Sequence, residues 1–201
     1  MKRLLLATRN AHKAREIQEI LGPEFELRDL TAYPEISGIV ESGKSFEENA
    51  KLKAIAVSKQ LPGLVIGDDS GLEAEALGGA PGIYSARYAG KNATDKQNVE
   101  KLLSELARAG AKTPRRHARF RCVIALAHAG KLLDTFNGAV EGRIVDRPRG
   151  SHGFGYDPIF VPNGFEQTFA ELPAGVKNRF SHRAKAIRAL AAKLAVLKPS
   201  D

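Results

Sequence analysis

Short apolar runs alternate along this chain with segments whose apolar residues recur every three to four positions. Lys2 to Ala7 has the composition of a buried strand, and the helical pattern that follows it is ended by Gly22-Pro23. A second strand is predicted from Phe25 to Leu30, where apolar and polar residues alternate. This succession of strands and helices predicts an α/β fold with a mixed sheet.

Further along the chain, two capping boxes mark the starts of helices. Ser45 with Glu48, and Thr94 with Gln97, place a hydroxyl and a carboxylate or amide three positions apart just before an apolar pattern. Two long strands joined at Ala129-Gly130 are predicted after the second helix, and we expect a hairpin there. A last helix is predicted to start at Ser181.

Length and composition limit the organisation of the chain. With 201 residues, 43% of them hydrophobic, residues 1–201 can form a single domain, with room for two lobes. No run approaches the roughly 18 apolar residues that span a bilayer, and the apolar run after Met1-Lys2-Arg3 is too brief for a signal peptide, so we expect a cytoplasmic protein. The single cysteine, Cys122, excludes an intrachain disulfide framework and a zinc site built from cysteines.

The net charge of +8 is compatible with two kinds of partner. A basic chain can bind nucleic acid, or it can hold a small polyanion in one site. Few aromatic residues lie among the basic ones, which argues against a surface that stacks single-stranded bases. Composition alone leaves a basic nucleic-acid-binding module open as an alternative.

A candidate phosphate site lies in Thr8-Arg9-Asn10-Ala11-His12-Lys13, where a strand passes into a helix. Free backbone N–H groups, the helix dipole and Lys13 could converge there on phosphate. The alternative is that Asn10 caps the helix while Lys13 is solvated.

A candidate metal site follows the apolar run Leu64 to Ile66. Asp68 and Asp69 come directly after it, and two carboxylates at a strand end can hold Mg²⁺ while one polarises a water. Asp68-Asp69-Ser70-Gly71 is also an ordinary turn sequence, and a turn here would separate this run from a second strand at Leu72 to Leu77.

Two further clusters could contact a nucleotide. Phe154-Gly155-Tyr156-Asp157 puts two aromatic rings on a glycine-rich loop, where a planar base could stack; the alternative is that both rings anchor a tight turn in the core. Ser181-His182-Arg183, with Lys177 upstream, supplies hydrogen-bond donors or simply starts a capped helix.

Gly38-Ile39-Val40-Glu41-Ser42-Gly43-Lys44-Ser45 matches the P-loop pattern G-x-x-x-x-G-K-[ST]. A P-loop must leave a buried strand, whereas residues 31–37 include Pro34 and no hydrophobic run. The buried strand that a P-loop requires is therefore not predicted here. A P-loop NTPase that releases orthophosphate remains an alternative.

Taken together, six motifs closely resemble the inosine triphosphate pyrophosphatase family, and in particular its bacterial members that act on non-standard purine nucleotides. The motifs are Thr8-x-Asn10-x-x-Lys13, Ser45-Phe46-Glu47-Glu48-Asn49-Ala50, Asp68-Asp69-Ser70-Gly71-Leu72, residues 81–90, Phe154-Gly155-Tyr156-Asp157-Pro158 and Ser181-His182-Arg183. They run in order over nearly the whole chain, and their coincidence is more specific than any one of them.

The resemblance implies an elongated α/β fold with a long central mixed sheet, two lobes with the active site in the cleft between them, a homodimer and a requirement for Mg²⁺. It implies hydrolysis of ITP, dITP and XTP to the monophosphate and pyrophosphate. By the match, Thr8 to Lys13 would bind phosphates, Asp69 would hold metal and act as the base on water, and Ser70 would touch substrate. Phe154 to Asp157, Lys177, His182 and Arg183 would line the nucleotide site, and Gly79 to Gly90 would contribute to the dimer contact.

Two positions and one stretch of the chain depart from the family pattern. Arg9 stands where glycine is common, Val176 precedes Lys177 where glutamate is frequent, and the stretch before Ser45 offers only Glu41 close to the expected second metal ligand. We expect Glu41 to be that ligand, with Glu35 and Glu48 as rivals.

Overall fold

The computed structural model describes residues 2–111 and 116–196 and contains a six-stranded sheet in the order β2-β1-β3-β4-β5-β6. Its strands are β1 Lys2–Leu6, β2 Phe25–Asp29, β3 Leu64–Ala74, β4 His117–His128, β5 Lys131–Ile144 and β6 Phe160–Pro162. β1 pairs in parallel with β2 and β3, while β5 and β6 are antiparallel. The predicted α/β fold with a mixed sheet is confirmed.

The helices are α1 Ala11–Leu21, α2 Phe46–Ser58, α3 Asp95–Arg108, α4 Ala174–Phe180 and α5 His182–Val196. Three begin at the predicted polar residues: the side chain of Asn10 accepts hydrogen bonds from the first turn of α1, and Ser45 and Thr94 do the same for α2 and α3. Gly22 ends α1 with a φ of 83°, a conformation that glycine adopts without strain. None of the helices in the described ranges is long and apolar enough to cross a membrane.

The chain divides into two compact units. The first unit contains the residues up to Asp69, Cys122–Gly138 and the part from His182 onward; the second contains Ser70–Arg121 and Ala139–Ser181. Each has a core of its own. Leu6, Ile66, Ile124 and Leu190 are among the buried residues of the first core, and the second core is built around side chains such as Leu72, Leu102, Phe160 and Phe169.

Strand β3 corrects the most consequential prediction. Residues 64–74 form one continuous strand, so the predicted turn at Asp68-Asp69-Ser70-Gly71, and with it the separation into two strands, is wrong. The glycines that suggested a turn serve close packing instead. A Cβ at Gly67 would collide with the backbone of α2 at Ala50, and one at Gly71 would collide with the hydroxyl of Ser85.

Smaller differences lie in the second unit. Residues Glu75–Leu77, predicted to end a strand, form a 3₁₀ turn, and Gly82–Arg87 forms another. Helix α4 was not predicted, because its seven residues are too few to show a clear helical period.

Candidate active site

Strand β3 carries two adjacent buried carboxylates, Asp68 and Asp69, which are 1% and 6% exposed. Successive side chains of a strand point to opposite faces of the sheet. The two carboxylates accordingly have different partners, and the structure does not bring them together around one metal ion.

Asp68 is surrounded by cationic groups from other elements of the first unit. Its carboxylate pairs with the ammonium of Lys13 on α1 and lies 3.1 Å from Nε of Arg183 on α5. The thiol of Cys122 on β4 lies 3.2 Å from the same carboxylate. Burial alone would raise the pKa of Asp68, but Lys13 and Arg183 outweigh it and hold the pKa well below its usual range. Asp68 is therefore a fixed negative charge.

The segment Thr8 to Lys13 combines both of its sequence interpretations. Asn10 caps α1, because its Oδ1 accepts hydrogen bonds from the backbone of His12 at 3.0 Å and of Lys13 at 3.2 Å. Lys13 is not simply solvated, since its ammonium pairs with Asp68 and its side chain is 16% exposed. Arg9 donates to the carbonyls of Leu30 and Ile36, both at 2.5 Å, so its guanidinium is engaged in packing the chain.

Asp69 is bound by helix α2. Nζ of Lys53 lies 2.7 Å from one of its oxygens, and the amide of Asn49 lies 3.3 Å from the other. These two residues are one turn apart and share a face of the helix. Burial raises the pKa of the Asp69 carboxyl above its ordinary value, and the charge of Lys53 offsets this only in part. The carboxylate is thus a better proton acceptor than an exposed aspartate.

Lys53 also lies 3.1 Å from Oε1 of Glu41, so a single ammonium bridges Asp69 and Glu41. Mg²⁺ sites in proteins commonly use one or two carboxylates together with substrate phosphates, so Asp69 and Glu41 are the candidate ligand pair. Of the rival ligands, Glu35 is exposed and Glu48 accepts a hydrogen bond from the backbone of Lys44. Within residues 2–111 and 116–196, no three His, Cys, Asp or Glu side chains form a ready-made metal cluster.

Lys53 was missed by the sequence analysis. It is 6% exposed and lies on the buried face of α2 with Ala50, Ala54 and Val57. A lysine among the apolar positions of an amphipathic helix was the available signal, because a buried ammonium needs an anionic partner.

The second unit holds a different group of side chains on the loop before β6. The carboxylate of Asp157, 2% exposed, accepts hydrogen bonds from Nζ of Lys177 at 2.6 Å and from the backbone of Phe154 at 2.9 Å. The same ammonium lies 5.4 Å from the centre of the Phe154 ring, within cation–π range. A Cβ at Gly153, whose φ is 74°, would collide with Asp157, so the loop needs glycine there.

The two aromatic residues of this loop differ in their surroundings. Tyr156 is 3% exposed and belongs to the core of the second unit, where its hydroxyl donates to the carbonyl of Ser85 at 2.9 Å. Its side chain is therefore an anchor, as the alternative interpretation held. Phe154 is partly exposed and lines a cavity of about 540 Å³ together with Val99 and Leu103.

The remaining predicted residues are divided between the units. Ser70 follows Asp69 on β3, and His182 and Arg183 begin α5 in the first unit. Both residues of this pair are buried, and Arg183 pairs with Asp68 and with Glu16.

The P-loop match lacks its structural context. In the described part of the chain β2 ends at Asp29 and the next strand is β3, so no strand leads directly into Gly38. The N–H groups of Gly43 and Lys44 already donate to the side chains of Asn49 and Glu48. A phosphate cradle needs such groups to be available.

The fold and the charged group on β3 define a class: an α/β protein whose mixed sheet carries a buried site of lysines and carboxylates. The particular family follows from comparison with known proteins. The model of the Ham1 family matches residues 4–193, and this chain belongs to that family. Together with relatives that are named dITP/XTP pyrophosphatases, this match confirms the inosine triphosphate pyrophosphatase family predicted from the six motifs.

Relatives and solved structures agree with this assignment. The dITP/XTP pyrophosphatase of Shouchella clausii is 50% identical over 190 residues, covering 94% of this chain and 95% of the relative. That of Bacillus subtilis is 47% identical over 191 residues, with 94% and 96% covered. The structure of a HAM1 protein from Coxiella burnetii, 41% identical, superposes with a TM-score of 0.86 and covers 98% of this chain and 100% of that one.

Proposed function

We propose that this protein hydrolyses non-standard purine nucleoside triphosphates, ITP, dITP and XTP, to the nucleoside monophosphate and pyrophosphate, and so removes them from the nucleotide pool. The observation that carries the proposal is the buried carboxylate of Asp69, held by Lys53 and Asn49 beside Glu41. The names of the relatives, dITP/XTP pyrophosphatases at 46–50% identity, support the same reaction.

Asp69 is the proposed general base. Water must approach the α-phosphorus in line with the leaving pyrophosphate, and an ionised carboxylate beside that line can accept the proton from the water. Lys53 and Asn49 hold the carboxylate in one orientation, which leaves it little freedom to turn away from the water.

Mg²⁺ is the proposed cofactor, with Asp69 and Glu41 as its protein ligands. When bound, it would neutralise charge on the phosphate oxygens and on the departing pyrophosphate. The two carboxylates fit this ion because both already share the ammonium of Lys53, and Mg²⁺ prefers oxygen ligands.

The phosphates are proposed to bind to the segment Thr8 to Lys13 in the first unit. The N-terminus of α1 and the ammonium of Lys13 supply positive potential. Ser70, next to the base, is proposed to touch substrate as well. His182 and Arg183 are proposed to line the nucleotide site. Arg183 is joined to Lys13 through Asp68, the partner that the two share.

The base is proposed to be recognised in the second unit by Phe154 to Asp157 and Lys177. The 6-oxo group of hypoxanthine or xanthine accepts hydrogen bonds, and a site with a donor such as the ammonium of Lys177 favours it over the 6-amino group of adenine. An unpaired buried donor costs about 1 to 3 kcal/mol, so each mismatch would reduce kcat/KM by roughly tens- to hundreds-fold.

A homodimer is proposed to form through Gly79 to Gly90, the stretch that contains Tyr84, which is 56% exposed. The protein is proposed to act in the cytoplasm, where its nucleotide substrates are. The two alternatives are not favoured: no strand runs directly into the P-loop match, and the relatives of the chain carry the names of nucleotide pyrophosphatases rather than nucleic-acid-binding proteins.

One experiment tests both the bond cleaved and the atom attacked. ITP is incubated with the protein and Mg²⁺ in ¹⁸O-labelled water, and the products are identified by mass spectrometry. We expect IMP that carries the label and pyrophosphate that does not, with ATP turned over far more slowly. Label in pyrophosphate, or release of orthophosphate, would contradict attack on the α-phosphorus.

A further inference from the structure

The 3₁₀ segment Gly82–Arg87 is held against strand β3 by the hydroxyl of one residue, Ser85. That hydroxyl donates to the carbonyl of Gly82 at 2.6 Å and accepts a hydrogen bond from the backbone N–H of Leu72 at 3.0 Å. Ser85 is 7% exposed, so both bonds are shielded from water. Its hydroxyl therefore fixes the segment on β3 three residues beyond Asp69.

The backbone carbonyl of Ser85 extends the connection to the loop before β6. It accepts the hydrogen bond from the hydroxyl of Tyr156, which is buried. Tyr156 precedes Asp157, whose carboxylate binds Lys177 and the backbone of Phe154. Ser85 thus provides one anchor of this loop, at the residue that precedes Asp157.

Helix α3 holds the same two parts of the second unit from another direction. Asn98, 2% exposed, accepts a hydrogen bond from the backbone of Ala89 at 2.8 Å and donates to the carbonyl of Ala86 at 3.3 Å. Asp95 accepts from the backbone of Gly155 at 2.6 Å. The loop is therefore fixed at two neighbouring points, Gly155 by Asp95 and Tyr156 by Ser85, and the second lies directly before Asp157.

We propose that Ser85 is a positioning residue for base recognition. Its hydroxyl sets the segment on β3, and its carbonyl sets the ring of Tyr156, so that the loop presents Phe154 and Asp157 in a single arrangement. This inference rests on the proposed function, because recognition of the base by Phe154 to Asp157 is part of that proposal. Ser85 itself acts through Tyr156 and the loop.

The test compares Ser85→Ala with Ser58→Ala. Ser58 is a close match in the first unit: it is 3% exposed, its hydroxyl donates to the carbonyl of Ile55 at 3.1 Å, and it accepts from the backbone of Gly130 at 3.1 Å. Each substitution deletes one buried hydroxyl that joins the carbonyl three residues earlier to a distant backbone N–H. The pair therefore separates positioning from a general loss of stability.

The readout is inhibition of ITP hydrolysis by IMP, which contains the base, and by inorganic pyrophosphate, which does not. For Ser85→Ala we expect the inhibition constant of IMP and the KM for ITP to rise about tenfold, the upper end for the loss of one hydrogen bond. The inhibition constant of pyrophosphate stays within about twofold. Ser58→Ala leaves both constants at the wild-type values.

Equal effects of the two substitutions on IMP, or an equal weakening of IMP and pyrophosphate by Ser85→Ala, would overturn the inference. If Ser85→Ala does not fold, Tyr156→Phe, which removes the other end of the connection, is judged by the same criteria. Its control is Tyr33→Phe, which removes a phenol hydroxyl from the first unit. Wild-type protein that yields no IMP and pyrophosphate from ITP would overturn the proposed function, a result visible before any variant is made.

Discussion

Two groups of charged side chains are held in different ways. The first group surrounds Asp68 and Asp69 in the first unit, and the second surrounds Asp157 on the loop before β6 in the second unit. Around Asp68 and Asp69, the partners come from α1, α2, β4 and α5, and each buried charge faces a charge of opposite sign. Around Asp157, the carboxylate is bound by the backbone of a short glycine-rich loop and by Lys177 of α4. The first group is built from ion pairs between several elements, whereas the second has one ion pair on a loop that hydrogen bonds fix to Ser85 and to Asp95 of α3.

This difference has a physical reason. A buried charge without a partner is strongly unfavourable, so several charges can share a site only when several elements deliver partners to it. The loop of the second unit instead combines one ion pair, the partly exposed ring of Phe154 and glycines that adopt positive φ. We therefore expect substitutions in the first group to change chemistry and stability, and those in the second to change substrate preference.

The largest effect is expected for Asp69→Asn. The amide keeps the size of the side chain but cannot accept the proton from water, so kcat for ITP should fall by about 10²- to 10⁴-fold. Steady-state kinetics with pyrophosphate detection measures this. Asp134→Asn, which removes a partly exposed carboxylate 3.1 Å from Lys193 in the same unit, is the matched control. If Asp69→Asn turned ITP over at the wild-type rate, the assignment of the hydrolytic step to the first group would be wrong.

A large loss of stability is expected for Asp68→Asn. The substitution leaves the buried charges of Lys13 and Arg183 without their shared partner, which should lower the free energy of unfolding by about 3 kcal/mol. Because the folded-state pKa of Asp68 is lowered, its contribution is complete above about pH 4 and is lost as the pH falls through that lowered pKa.

Urea titrations between pH 7 and pH 3 measure both effects. The variant should lose less stability than the wild type as the pH falls across this range, because it lacks the carboxylate that must be protonated. Parallel pH dependence in the two proteins would mean that the pKa of Asp68 is not held low by its partners.

A moderate and selective effect is expected for Asp157→Asn. Loss of its charge frees Lys177 and loosens the backbone of Phe154, so the KM for ITP should rise by about 10- to 100-fold. Hydrolysis of ITP and ATP at several concentrations separates kcat from KM. A fall in kcat as large as that of Asp69→Asn, with KM unchanged, would erase the distinction between the two groups.

The smallest effect is expected for Thr94→Ala. Thr94 and Gln97 form the capping box of α3, and loss of such a cap lowers stability by about 1 kcal/mol. Chemical denaturation should detect this change while kcat for ITP stays at the wild-type value. Loss of turnover in a folded Thr94→Ala protein would mean that the chemistry depends on the second unit.

Much of the fold could be predicted from the sequence because its signals are local. Asn10, Ser45 and Thr94 cap the helices that were expected, and the hairpin turns at Ala129-Gly130, where φ is 48° and 77°. The continuous course of β3 could not be predicted, because glycines on either side of Asp68-Asp69-Ser70 are typical of a turn. Their function in close packing depends on α2 and on Ser85, which are distant in sequence.

The sequence pointed to several residues that the structure places in the two charged groups, but not to the ion pairs between them. The motifs single out Lys13, Asp68, Asp69 and Asp157, but alternation along β3 sends the two adjacent aspartates to different partners. The same limit hid Lys53, whose importance comes from its contacts with Asp69 and Glu41 rather than from any local pattern.

The proposed function assigns phosphate binding to the first group and base recognition to the second. Calorimetric titration of pyrophosphate and IMP into Lys13→Met and Asp157→Asn tests this assignment most directly. Loss of a charge-assisted hydrogen bond should weaken the affected ligand by about 10- to 100-fold. The account predicts a crossed result, in which Lys13→Met loses more affinity for pyrophosphate than for IMP and Asp157→Asn loses more for IMP. If both variants weaken both ligands to the same extent, the assignment of phosphate chemistry to one group and base recognition to the other is contradicted.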